Sequence, residues 1–280
     1  MAHPNDFSIQ TSLGRIAARR WTSGKKPVLA LHGWLDNLES LSELIEKLEG
    51  FDVCAIDFPG HGESEHLPGN QPYHFFDLPL LLHEVIEKLE WKSCCILGHS
   101  MGGAAACLFA AAFPEKVERL ALIEALGPLT GPANESTKRM KEFISRYTTL
   151  SRKAEATYPS FDIMVKLRLQ VNQMAESSAK KILARNSRET EKGFMWKTDR
   201  RLTLPSGVRL TEDQVHDYLS SIECPVLLIK SSESLLTQLP GFESRVKSVK
   251  DIQVVEVPGH HHVQTDSPNL LQPHIQHFLV

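Results

Sequence analysis

Apolar residues cluster or alternate in short runs along the first part of the chain. Phe7 to Gln10 and Arg15 to Trp21 flank Ser12-Leu13-Gly14, which predicts two strands joined by a tight turn. Val28 to Leu31 is wholly apolar and predicts a short buried strand ending at His32-Gly33-Trp34. Leu38 to Leu48 carries apolar residues at helical spacing. Phe51 to Ile56 reads as a further strand, ending at Asp57-Phe58-Pro59-Gly60-His61-Gly62. Asp77 to Leu89 predicts a helix with Leu81, Leu82, Val85, Ile86 and Leu89 along one side. Cys94-Cys95-Ile96-Leu97 predicts a buried strand, followed by a small-residue helix that Pro114 closes. Val117 to Ile123 is the next apolar strand. Strands alternating with helices predict a parallel sheet covered by helices on both faces.

The rhythm changes after Gly127-Pro128. Residues 134 to 192 show helical pattern and no convincing strand, and they are rich in Lys, Arg, Gln and Met. Strand-like runs return at Pro225 to Ile229 and Ile252 to Val257. A structureless loop of such length would be implausible, so a helical insertion between two strands of one sheet is expected. Residues 1–127 and 211–280 are assigned to the core, and 128–210 to a helical cap.

A chain of 280 residues is long enough for one large core, and 41% hydrophobic with 23% charged residues is ordinary for a water-soluble globular protein. Net charge is −3, but residues 128–210 hold 17 Lys and Arg against 8 Asp and Glu, a local +9. That asymmetry fits either an anionic partner or, preferably, solvated helical faces. Nucleic-acid motifs are lacking, and no apolar run approaches a membrane span. The first residues, Met1-Ala2-His3-Pro4-Asn5-Asp6, lack signal-peptide features. The five cysteines, an odd number, read as buried reduced thiols. A cytoplasmic location is expected, without membrane association.

The chemistry centres on Gly98-His99-Ser100-Met101-Gly102, a serine between two glycines at the end of a strand and the start of a helix. A nucleophilic serine must stand clear of the backbone, and a sharp strand-to-helix turn lifts it while crowding its neighbours. Gly98 and Gly102 relieve that crowding, and Met101 offers its N–H at a helix N-terminus to a developing oxyanion. A serine hydroxyl needs a base, and the candidate lies in Pro258-Gly259-His260-His261-His262. Three consecutive histidines raise the question of a metal. Neighbouring side chains diverge, however, and the segment lacks spaced ligand pairs, so a single catalytic histidine is preferred.

Together these motifs resemble the α/β-hydrolase fold family over nearly the whole chain. The matching strings are His32-Gly33-Trp34, Asp57-Phe58-Pro59-Gly60-His61-Gly62-Glu63-Ser64, the Gly98-to-Gly102 elbow and Pro258-Gly259-His260-His261. Leu31-His32-Gly33-Trp34-Leu35-Asp36-Asn37 is similar to the serine hydrolase-like subgroup, and Gln264-Thr265-Asp266-Ser267-Pro268 resembles haloalkane dehalogenases. The resemblance implies a mostly parallel eight-stranded sheet, with a helical lid inserted after the sixth strand. It implies His261 as base, with His260 filling the variable position. The oxyanion hole would combine the backbone N–H groups of Trp34 and Met101. His32, His61, Asp57 and His99 would be structural. Trp196 and Asp199, in the insertion, could each reach the site or serve packing and surface roles.

Two features depart from relatives. Dehalogenases use an aspartate nucleophile, and an ether formed on Ser100 could not be hydrolysed, so acyl transfer is expected instead. Most relatives carry an aspartate after the seventh strand. Here that stretch is Lys230-Ser231-Ser232-Glu233-Ser234-Leu235, with Ser234 at the expected position and Glu233 one residue early. Leu122-Ile123-Glu124-Ala125 places a lone acid at the end of the sixth strand, where burial is costly unless partnered. Glu124 is the preferred triad acid and Glu233 the alternative.

The expected protein is a serine hydrolase of a small-molecule carboxylic ester with a small or medium acyl group, needing neither cofactor nor metal. The rivals are a thioesterase, amidase, C–C hydrolase or perhydrolase on the same triad, or a ligand-binding protein without turnover.

Overall fold

The computed structural model describes residues 4–150, 155–238 and 241–280. The first three residues of the N-terminal stretch, and residues 151–154 in the segment assigned to the cap, lie outside the described residues. The chain opens with an antiparallel pair, β1 (Asn5–Thr11) and β2 (Gly14–Thr22). Then come β3 (Lys26–Leu31), α1 (Glu39–Ile45), β4 (Phe51–Ile56), α2 (Asp77–Lys88), β5 (Cys94–His99), α3 (Met101–Ala112) and β6 (Val117–Ile123). Between β6 and the next strand of this sheet lie α4 (Ser136–Leu150), α5 (Phe161–Val171), α6 (Glu176–Asn186) and a hairpin of β7 (Ser187–Thr190) and β8 (Gly193–Trp196). The chain ends with α7 (Glu212–Ser220), β9 (Val226–Ser231), α8 (Phe242–Ser248), β10 (Ile252–Val257), α9 (Val263–Asp266) and α10 (Pro268–Leu279).

Eight strands form one sheet in the order β1-β2-β4-β3-β5-β6-β9-β10. Its pairings are parallel apart from β1 with β2 and β2 with β4. Cys94 and Cys95 show why β5 must be apolar throughout. Cys94 joins the core beneath α2, α3 and α7, whereas Cys95 joins the core beneath α1 and α10. A central parallel strand buries both faces, so its apolar residues run on without alternation.

Two expectations are corrected. The helix expected over Leu38 to Leu48 stops at Ile45, because Lys47 and Leu48 donate to Leu44 and Ile45 in tighter i to i−3 turns. Leu48 is nonetheless buried. The segment 134–192, read as strand-free, contains β7, and β8 follows directly after it within the expected helical cap; their two-residue turn brings Thr190 against Gly193 at a φ of 113°. Four-residue strands are too short for alternation to register. Tyr158 extends this small sheet by pairing with Phe194, over a separate apolar cluster that includes Met164, Val165, Ala179 and Leu183.

Candidate active site

The parallel strands all end on the same side, and five of the following turns converge there. Ser100 follows β5, Trp34 follows β3, Glu124 follows β6, Leu235 follows β9 and His261 follows β10. In open α/β sheets this edge is where ligands bind.

Ser100 occupies the strained turn that the sequence calls for, with φ 50° and ψ −115°. Such a backbone persists only where its surroundings enforce it. A Cβ on Gly98 would lie 2.6 Å from the Gly103 Cα, and one on Gly102 would lie 2.6 Å from the Leu31 carbonyl oxygen. The Ser100 N–H donates to the Ile123 carbonyl at 3.0 Å, tying the turn to the end of β6.

The Ser100 hydroxyl donates to His261 Nε2 at 3.0 Å, and His261 Nδ1–H donates to Glu124 Oε2 at 3.2 Å. Glu124 also sits at a positive φ of 53°, which turns its side chain back under the loop after β10. Its carboxylate is buried but well supplied. Ser231 donates its N–H at 2.6 Å and its hydroxyl at 3.1 Å to Oε1, and the Ser234 hydroxyl donates to Oε2 at 2.9 Å. Burial alone would raise the Glu124 pKa. The hydrogen bonds from His261, Ser231 and Ser234 outweigh it and hold the carboxyl below its ordinary value. Ser234 thus serves the carboxylate supplied from β6. Glu233 points elsewhere: its carboxylate lies 3.1 Å from His260 Nδ1. The three histidines diverge, since His260 Nε2 meets Gln173 at 2.9 Å and His262 Nε2 meets Asn172 at 3.2 Å.

The buried histidines at the sequence motifs are kept neutral chiefly by burial, and each ring has one donor and one acceptor contact. His32 Nδ1–H donates to the Gly33 carbonyl, while its Nε2 accepts from the Phe58 N–H at 2.9 Å. His61 Nδ1–H donates to the Pro59 carbonyl, and its Nε2 accepts from the Leu35 N–H at 3.2 Å. Burial pushes their pKa values down to about 4 and about 3 respectively. His99 lies directly behind His261. Its Nε2–H donates to the His261 carbonyl at 2.9 Å, and its Nδ1 accepts from Gln264 at 3.2 Å. Asp57 accepts from the N–H groups of Leu38 and Glu63 and from Arg185 of α6.

The Trp34 and Met101 N–H groups take no partner among the described residues, and both residues border the cavity beside Ser100. That cavity measures about 550 Å³ and its wall is mainly apolar, with Phe58, Phe75, Leu78, Met101, Leu210 and Leu236 among the lining side chains. Arg201 reaches the wall, but its guanidinium is consumed by Asp199 and by the Leu67, Gly69 and Gln71 carbonyls. Asp199 and Trp196 do not border the cavity. Asp199 pairs with Arg201 and accepts from the Tyr73 hydroxyl at 2.9 Å, and Trp196 packs edge-on to Tyr158. Sequence reasoning missed Asp36 and Arg168, a buried ion pair, as well as the roles of Ser231 and Asn186. The one visible signal was the string Asp36-Asn37, two polar residues directly before an apolar helical run.

A hydroxyl bonded to a histidine, itself oriented by a buried carboxylate beside two free N–H groups, is an arrangement suited to acyl transfer. Comparison with known proteins agrees on the class. A family model described as the alpha/beta hydrolase fold matches residues 26–154. The chain is 34% identical over 293 residues to a probable serine hydrolase of Drosophila melanogaster, covering 98% of this chain and 87% of that protein. A hypothetical protein of Pseudomonas aeruginosa PAO1, known from its crystal structure, superimposes with a TM-score of 0.90 at 34% identity, covering 98% of this chain and 97% of the other. An esterase of Mycobacterium tuberculosis is 27% identical over 264 residues, covering 92% of this chain and 84% of that protein. The fold class is therefore that of the α/β hydrolases. Within it, the chain belongs to the serine hydrolase-like family. Among the described residues, no helix is long and apolar enough to cross a membrane.

Proposed function

We propose that this protein hydrolyses carboxylic esters with an uncharged, apolar acyl group of small to medium size, through an acyl-enzyme on Ser100. The observation that carries the proposal is the unbroken Ser100–His261–Glu124 chain opening onto an apolar cavity. As Ser100 Oγ bonds to the ester carbonyl carbon, its proton passes to His261 Nε2. The carbonyl oxygen becomes an oxyanion between the Trp34 and Met101 N–H groups, and the α3 N-terminus adds a favourable dipole. Collapse of the tetrahedral intermediate expels the alcohol, which takes the proton from His261. Water then repeats the sequence: His261 removes its proton, hydroxide adds to the acyl carbon, and Ser100 leaves as the alcohol. Glu124 stays ionised throughout and stabilises the imidazolium.

The segment 128–210 acts in this proposal as a cap over the cavity, excluding water and limiting acyl size. Of its arginines that line the cavity, Arg201 is saturated, and Arg209 is exposed with one arm on the Thr130 carbonyl, so the mainly apolar wall is taken to set the acyl preference. The burial of all five free cysteines supports a reducing, cytoplasmic setting.

The test pairs a fluorophosphonate probe with p-nitrophenyl esters of increasing chain length. The wild-type protein is expected to label and the Ser100→Ala variant not to. Turnover should peak at medium neutral chains and fall for esters bearing a terminal carboxylate. Absence of labelling, or labelling that survives Ser100→Ala, would sink the proposal.

A further inference from the structure

The loop that presents the Trp34 N–H carries a conformational burden. Leu35, the next residue, has a φ of 59°, in the left-handed region that a branched side chain resists. Something outside the loop must hold it there. Little of that support comes from the sheet. On the core side, the Leu35 N–H donates to His61 Nε2 at 3.2 Å, and the Asp36 N–H closes a turn to the Gly33 carbonyl at 3.2 Å. The Asp36 carboxylate also lies 3.7 Å from His262 Nδ1 and 3.9 Å from His99 Nδ1. The closer, hydrogen-bonded anchors come from the segment inserted between β6 and β9. The Trp34 indole N–H donates to the Leu202 carbonyl at 2.9 Å. The Leu35 carbonyl accepts from Arg168 of α5 at 3.2 Å and from Asn186 of α6 at 3.1 Å. The Asp36 carboxylate pairs with the second arm of the same Arg168 guanidinium. The Asn37 side chain donates to the Ile182 carbonyl of α6 at 2.8 Å. Four consecutive residues are thus each tied to the insertion. Asn186 also accepts from the Gly62 N–H at 3.2 Å, so its amide bridges two loops of the site.

We propose that Arg168 and Asn186 are positioning residues that set the oxyanion-binding N–H of Trp34, so that the inserted segment completes the catalytic site as well as covering it. The proposal rests on the acyl-transfer reading above. Arg168 suits the task because its planar fork meets a carbonyl and a carboxylate at once, which a lysine cannot do. Both residues are almost wholly buried, Arg168 at 6% and Asn186 at 1% exposure, so neither serves as a surface contact. Neither lines the cavity, so neither touches substrate.

The variants that test this are Arg168→Lys, which keeps the charge opposite Asp36, and Asn186→Asp, which keeps the volume and the acceptor for Gly62. A displaced donor costs transition-state binding and spares ground-state binding. Each variant is expected to lose about 10- to 100-fold in kcat with KM little changed. Affinity for an alkyl boronic acid, whose serine adduct carries the oxyanion, should fall in the same proportion. Placing asparagine, which tolerates the left-handed region, at position 35 in the Asn186→Asp background should restore part of the loss. Amide hydrogen exchange gives a readout that needs no substrate: peptides covering residues 33–38 should exchange faster in both variants, with the peptides of β5 and α3 unchanged. Folded variants with wild-type exchange over 33–38, or with undiminished kcat and boronate affinity, would overturn the assignment. A wild-type chain that neither labels with fluorophosphonate nor binds the boronate would instead overturn the acyl-transfer reading, while the exchange data still decide what holds the loop.

Discussion

Replacing Glu124 by glutamine is expected to lower kcat by about 10²- to 10⁴-fold, whereas Glu233→Gln leaves it essentially unchanged. The asymmetry follows from counting donors. Glu124 accepts four hydrogen bonds, from the Ser231 N–H, the Ser231 and Ser234 hydroxyls and His261 Nδ1–H. A carboxamide has one acceptor oxygen, so either orientation fails. With its oxygen on the Ser231 side, the amide NH₂ faces His261 and favours the tautomer with the proton on Nε2, where Ser100 must donate. With its oxygen toward His261, the NH₂ meets the Ser231 N–H head-on, in a buried site where an unmade hydrogen bond is expensive. Glu233, by contrast, has a largely exposed side chain next to His260. Steady-state kinetics of both variants, with thermal unfolding to show that each is folded, provide the check. Equal losses, or a larger loss for Glu233→Gln, would remove Glu124 from the triad.

Most of the fold was legible because it is written in local pattern. The buried run Cys94 to Leu97 and the small residues after Ser100 leave few alternatives to strand, turn and helix. The covalent order of the motifs then implied which turns would meet at one edge of the sheet. The carboxylate that meets His261 was only half legible. Glu124 drew attention as a charge at the end of an apolar strand, but nothing local showed that Ser231 and Ser234 would supply its donors. They are more than 100 residues further along the chain and arrive only when β9 pairs with β6. The same holds for Arg168 and Asn186. Each reads as an ordinary polar position on a helix, and its meaning comes from docking the insertion against residues 34–37. Long-range polar contacts leave no period in the sequence, whereas burial does. The hairpin of β7 and β8 escaped for a simpler reason, since four residues of mixed exposure carry too little alternation.

The buried histidines that build the site should also set its acid limit. His32, His61, His99 and His262 all have pKa values lowered from 6.5, chiefly by burial, to about 4 for His32 and about 3 for His61. The folded state thus keeps these rings neutral at a pH where the unfolded chain protonates them. Above pH 6.5 neither state binds the protons and the histidines leave stability unchanged. As pH falls below 6.5 the unfolded state alone gains protons, and stability drops by up to ~1.4 kcal/mol per pH unit for each such histidine. For His32 and His61 the loss continues until pH reaches their folded values near 4 and 3. Asp36, which pairs with Arg168, and Glu124, which accepts hydrogen bonds from His261, Ser231 and Ser234, are held below their ordinary values against the cost of burial and add a second loss once the pH enters the carboxylate range. The expected result is a urea midpoint that is flat above neutrality and falls steadily from pH 6.5 to pH 4. His61→Gln, which keeps a donor and an acceptor, should lose stability at pH 8 yet show a shallower acid slope, by about one proton. A midpoint that stays level between pH 6.5 and 5, or a slope untouched by His61→Gln, would show that these rings take up protons in the folded state. The neutral scaffold assigned to His32 and His61 beside the Trp34 loop would then be wrong.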